Sequence, residues 1–148
     1  MSAQKTILVL IGPNLNMVGL REPAIYGTTT HAEIVKLCHD AIEAGDFKAD
    51  VRQSNYEGDL VTWIQDAFKD GVAGVVINAG AYTHTSIAIH DALRLLSCPI
   101  AEVHMSNPKE REPFRHISYV EPLAALTVVG QGAAGYKVAI DALISKLN

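Results

Sequence analysis

Glu102 and His104 stand two residues apart in the segment PIAEVH, the first chemical signal in this 148-residue chain. On a strand, residues two apart point to one face. A charged pair on one face of an apolar strand is costly unless its members pair with each other or with a ligand. A histidine held by a carboxylate is equipped for general acid–base work. Met105, Ser106 and Asn107 follow directly, then Arg111 and Arg115. Arginine suits two-pronged contacts to carboxylate or phosphate, so this neighbourhood points to an anionic small molecule. Two more polar clusters stand out. One is Asn78-Ala-Gly-Ala-Tyr-Thr-His84-Thr-Ser86. The other is GPNLNMVGLREPAIYG, residues 12–27, which carries Asn14, Asn16, Arg21, Glu22 and Tyr26. Plainer roles exist for single members: Asn14 as a turn residue, Thr85 or Ser86 as a helix cap. The 12–27 segment is long for a connection within a compact domain, and such segments serve as lids or binding loops.

Each cluster follows an apolar run. Lys5–Ile11, Ala73–Ala79 and Pro99–His104 read as strands covered on both faces, the mark of a parallel sheet. Ala49–Ser54 reads as another. Between them lie helical stripes: Ile34, Leu37, Cys38, Ala41 and Ile42, closed by Gly45, and then Leu60, Val61, Ile64, Ala67 and Phe68. Thr30 with Glu33, and Ser54 with Glu57, have capping-box spacing. Ser86–Ser97 is expected to be a third helix stopped by Pro99, and Ala133–Leu147 the last. Alternating strand and helix predict a single α/β domain, a doubly wound sandwich of about five parallel strands. Such folds bind ligands beyond the carboxyl ends of their strands, where all three clusters fall.

Composition narrows the function. The formal net charge of −4 gives no basic patch for nucleic acid. No apolar run reaches the roughly 18–20 residues of a membrane span, and the polar start, Met1–Lys5, is no secretory signal. The expectation is a cytoplasmic protein with Cys38 and Cys98 as buried free thiols. Gly130-Gln-Gly132-Ala-Ala-Gly135 matches the dinucleotide fingerprint literally, but too little chain follows for the rest of that unit, so it reads as helix packing or a helix start. His84 and His90 lack the spacing of a zinc pair, and no metal is expected.

At these residues the chain resembles the type II 3-dehydroquinate dehydratases, or type II dehydroquinases. The resemblance rests on GPNLNMVGLREPAIYG, QSNYEGDLVTWI, NAGAYTHTSIAIHDA and EVHMSNPKEREPFRH, in the family's order along essentially the whole chain. It implies a flavodoxin-like fold with a five-stranded parallel sheet and a homododecamer, a tetramer of trimers. It implies cofactor-free dehydration of 3-dehydroquinate to 3-dehydroshikimate, in aromatic biosynthesis or quinate breakdown. It implies that the opening loop is a lid. Tyr26 matches the catalytic base and Arg21 the lid arginine that activates it. Asn14 matches the residue holding a water near the enolate, His104 the general acid and Glu102 the carboxylate orienting it. Asn78, His84, Met105, Ser106 and Arg115 match substrate-binding positions, and Asp91 a polar position at the edge of the site. Arg111 matches a motif position expected to hold the loop. Two residues depart from the pattern: His90 stands where arginine is expected, and Ile117 where a second histidine is common.

The chemistry is feasible without a metal. The reaction needs a base at carbon, stabilisation of an enolate and an acid for the departing hydroxyl. A free tyrosine is ionised to roughly one part in a thousand near neutrality. An arginine about 4 Å away interacts with phenolate by about 4 kcal/mol at an effective dielectric near 20. Lowering the phenol by ~2 pKa units needs only about 2.7 kcal/mol. Gly12, Gly19 and Gly27 are expected to give the lid its freedom. No lysine directly follows a strand, the nearest being Lys109, so a Schiff-base mechanism is not expected. The rival reading is a non-catalytic module that binds flavin or phosphate at the 12–19 loop, which predicts a yellow or ligand-loaded protein.

Overall fold

The computed structural model describes residues 4–20 and 22–148, with Tyr26 by its backbone alone. Five strands, β1 (Thr6–Ile11), β2 (Lys48–Gln53), β3 (Gly74–Asn78), β4 (Ile100–His104) and β5 (Leu126–Val129), form one parallel sheet in the order β2-β1-β3-β4-β5. This is the flavodoxin-like order, whose switch point lies between β1 and β3. The four strand ranges read from the sequence hold to within one residue at each end, and β5 is the strand for which no range was expected.

The pleat divides the core into two layers. Ile7, Val9 and Ile11 of β1 face α2 (His31–Ala44) and α5 (Ala134–Leu147), where they meet Ile34, Cys38, Ile42, Tyr136 and Ile140. Leu8 and Leu10 face the opposite way, toward α3 (Glu57–Asp70) and α4 (Ile87–Leu93), against Leu60, Ile64, Ile89 and Leu93. Full burial of such a side chain contributes about 1.5–3 kcal/mol, and both faces of β1 are lined with them. The β4–β5 crossover is different. Residues 105–125 contain only three short 3₁₀ turns, Pro108–Glu110, Pro113–Arg115 and Glu121–Leu123. On the face of β4 opposite α5, Ile100 still packs in the α3–α4 layer, but Glu102, His104 and Thr127 lie against this irregular crossover, around a hollow available for a site.

Three local expectations need correction. Thr30 caps α2, its Oγ1 accepting from Glu33 N at 3.2 Å, but Ser54 does not cap α3. That helix starts two residues later, with Tyr56 at the N-cap, while Ser54 accepts from Tyr56 N and donates to Asp59. The third helix ends at Leu93 rather than Ser97. Ser86 caps it by accepting from Ile89 N, but Leu95 N and Leu96 N bond three residues back, tightening the chain into the turn that precedes β4. Gly12 is a close-approach glycine rather than a source of freedom. Its N–H donates to Asn78 O at 2.8 Å, and a Cβ there would sit 2.5 Å from Ala79 O. Gly19 and Gly27 do have positive φ. Cys38 is buried, which pushes its thiol up to about 12; Cys98 is only half-buried. No helix among the described residues is long and apolar enough to cross a membrane.

Candidate active site

Glu102 and His104 share one face of β4, as their spacing requires, and meet: His104 Nε2 lies 2.6 Å from Glu102 Oε2. Both are buried, Glu102 to 1% exposure. Burial pushes the Glu102 carboxyl upward, but its bond to His104 and the charge there outweigh this, with help from the Ser118 and Thr127 hydroxyls. The net position is below the usual carboxylate range, and Glu102 is an anion near neutrality. With Nε2 committed to that anion, Nδ1 is the His104 nitrogen left for chemistry.

His84, on the 3₁₀ turn Gly80–His84 after β3, lies alongside. The two imidazoles stack with centroids 6.4 Å apart and planes 21° from parallel. His84 Nδ1 donates to Ile117 O at 2.7 Å. Burial lowers its pKa; the bond to Ile117 opposes this, while His104 and Arg115 reinforce it. A neutral His84 with Nδ1–H so occupied presents Nε2 as an acceptor, suited to a hydroxyl.

Two hollows meet at this histidine pair, one of about 140 Å³ toward the switch point and one of about 290 Å³ toward β5. The smaller gathers Asn14, Asn78, His84, His104, Met105, Ser106, Arg111 and Arg115 from the ends of β1, β3 and β4. Asn14 is in the left-handed region (φ 67), unusual for a non-glycine and compatible with asparagine. Its N–H donates to Asn55 Oδ1 at 3.0 Å, and Gln53 Nε2 supports both Asn55 and the Gly12 carbonyl. The Met105 side chain is buried in the α2–α5 layer, so its backbone is what reaches the hollow. The turn after β5 holds that backbone, Gly130 N donating to Ser106 O and Gly132 N to Met105 O. The discounted glycine motif thus braces the site and starts α5, with Gly135 packed on Val128. Arg111 reaches Ser106 Oγ at 3.3 Å, and Arg115 pairs with Glu112 at 2.9 Å. Arg111 and Arg115 thus bring two guanidiniums to the lining of the hollow, groups suited to an anionic ligand.

Some expected site residues are not gathered here. Asp91 is exposed on α4 and does not line either hollow. Arg21 and the Tyr26 side chain lie outside the described residues. His90, one of the two departures, bonds Tyr119 O at 2.7 Å and ties α4 to the crossover. The other, Ile117, is exposed and serves the site through its carbonyl. Sequence reasoning missed Asn55, Ser118, Thr127 and Tyr136. Ser118 precedes Glu121 at capping-box spacing, a signal for a cap but not for a bond to Glu102.

A family model described as class II dehydroquinase matches residues 5–144. The 3-dehydroquinate dehydratase of Mesorhizobium japonicum is 54% identical over 144 residues, 97% of this chain and 99% of that one. The crystal structure of the type II dehydroquinase from Butyrivibrio crossotus superposes with a TM-score of 0.91 at 45% identity, covering 96% of this chain and 99% of that one. The type II dehydroquinase from Propionibacterium acnes gives a TM-score of 0.91 at 42% identity, covering 98% and 99%. Likeness on this scale takes in the irregular crossover and the polar strand ends as well as the sheet, and the chain belongs to the class II dehydroquinase family.

Proposed function

We propose that this chain is a hydro-lyase that removes water from 3-dehydroquinate to give 3-dehydroshikimate, with no cofactor. The observation that carries the reading is the buried Glu102–His104 pair, opening onto a hollow lined by Arg111 and Arg115 at the switch point of the sheet. An acid held beside bound anion is what expulsion of a hydroxyl requires.

In this reading the Tyr26 phenolate, favoured by Arg21, takes the proton alpha to the ketone. The electron pair moves into the carbonyl, and a water held by Asn14 donates to the resulting enolate oxygen. The enolate then re-forms the ketone and expels the beta hydroxyl, which leaves as water with a proton from His104. Arg115 and the Met105–Ser106 backbone bind the carboxylate, while His84 and Asn78 fix the ring hydroxyls. Arg111 steadies the loop through Ser106. Closure of residues 12–27 excludes water and brings Arg21 to Tyr26. Leu15 and Val18, buried in the α2–α5 layer, anchor the first half of that loop; Leu20 and Ile25 in its second half are exposed.

Purified protein given 3-dehydroquinate is expected to generate the ultraviolet absorbance of a conjugated enone. No absorbance change with authentic substrate would end the reading. The family resemblance also supports a cytoplasmic homododecamer, a tetramer of trimers; light scattering is expected to give the mass of twelve chains.

A further inference from the structure

A carboxylate as enclosed as Glu102 would bind a proton unless donors surrounded it. Among the described residues its close partners are His104, Ser118 and Thr127. Ser118 Oγ donates to Oε2 at 2.7 Å, the oxygen that also meets His104, and Thr127 Oγ1 donates to Oε1 at 3.2 Å. The direction of both hydroxyl protons is forced. Ser118 Oγ already accepts from Val120 N at 3.2 Å and Glu121 N at 3.0 Å, so its own hydrogen is left for Glu102. Thr127 stands opposite Glu102 in the β4–β5 register, which puts both side chains on one face. An ionised carboxylate only accepts, so the threonine donates.

The remaining charged or titratable groups around the pair are otherwise engaged. His84 bonds the Ile117 carbonyl from the β3 side. On the crossover, Arg115 holds Glu112, Lys109 faces Glu121 at 3.8 Å, and His116 bonds the Arg111 carbonyl. Besides His104, the two hydroxyls therefore supply the hydrogen bonds that hold the Glu102 anion.

We propose that Ser118 and Thr127 are positioning residues for the proton donor: they hold Glu102 ionised in one orientation, which keeps His104 Nε2 occupied and its Nδ1 turned to the cleft. The inference rests on the reading of His104 as the acid. It extends that reading to two residues on the crossover and the edge strand, neither of which lines the switch-point hollow.

The test uses Thr127→Val and Ser118→Ala, which delete one donor each, with Thr127→Ser and Ser118→Thr, which keep it. Two readouts are followed across pH in the full-length enzyme. One is kcat and KM. The other is exchange of the imidazole C2 hydrogen of His104, read by peptide mass spectrometry, which follows protonation without turnover. Each deletion is expected to raise the acid limb of kcat by about one pH unit, about tenfold less turnover on that limb, because a donor to the charged carboxylate is gone. KM is expected to change by less than about twofold. The His104 exchange midpoint should move while that of His39 on α2 stays, and Thr127→Ser should restore the parent profile. An unmoved His104 midpoint in both deletions, or a loss of kcat that is uniform across pH, would overturn the proposal. A moved midpoint in a protein without dehydratase activity would instead sink the proposed function and leave the positioning network standing.

Discussion

The side-chain nitrogen of Asn78 donates to the hydroxyl of Tyr136 at 2.9 Å, joining the end of β3 to the first turn of α5. Asn78 Oδ1 accepts from Gly80 N at 3.1 Å, so both ends of the amide are held. Tyr136 is wholly buried, and burial pushes its phenol above the ordinary range, so it stays neutral at any working pH. One phenol thus sets which face Asn78 turns to the hollow.

Tyr136→Phe is therefore expected to leave the Asn78 nitrogen buried without an acceptor. Such a loss costs about 1–3 kcal/mol, or a melting midpoint lower by roughly 2–12 °C for a chain of this size. KM should rise with it, since Asn78 is released to rotate. Calorimetry and steady-state kinetics check both, and an unchanged midpoint with unchanged KM would remove Tyr136 from this role.

Tyr26→Phe removes the proposed base and little else, because the ring remains. Turnover should fall by at least about a thousandfold, while binding of substrate measured by calorimetry persists. Arg21→Ala should give a smaller loss, since it weakens the phenolate without removing it. Near-normal turnover in Tyr26→Phe would exclude it as the base.

Glu102 makes stability depend on acid in a stated direction. Its folded pKa is lower than its unfolded one, so its contribution is fully present above the unfolded value, about 4.3. That contribution declines as pH falls through the folded value. Glu102→Gln should be less stable than the parent at pH 7, with the gap narrowing below about pH 4. Urea unfolding of both proteins at several pH values measures it; a gap that widens with acid would contradict the ionised pair.

The proposed chemistry assigns no step to a metal or to an imine. Prolonged treatment with chelators is expected to leave kcat/KM unchanged. Borohydride with substrate should leave every lysine-containing peptide, Lys109 included, at its unmodified mass. A chelator-sensitive rate or a reduced lysine adduct would each demand a different mechanism.

Much of the architecture was legible because its causes are local. Apolar runs bounded by Gly, Pro and polar residues place the strands. The 3.6-residue stripe in α2 and the Thr30 cap place that helix, and a spacing of two puts Glu102 and His104 on one face of β4. Local signals failed where another partner or the next turn competes for the same group. Asp59 takes the Ser54 hydroxyl that was expected to cap α3, and the turn into β4 shortens α4. Strand order is the larger case. Nothing within β1 or β3 states that they are adjacent, yet that adjacency presses Gly12 against Ala79 and brings Asn14 beside Asn78. The Ser118 and Thr127 hydroxyls reach Glu102 from 16 and 25 residues away. Residue types and spacing determined which groups were present for acid–base chemistry; packing between distant segments decided how those groups are aimed, because a buried polar atom takes whichever partner the fold delivers.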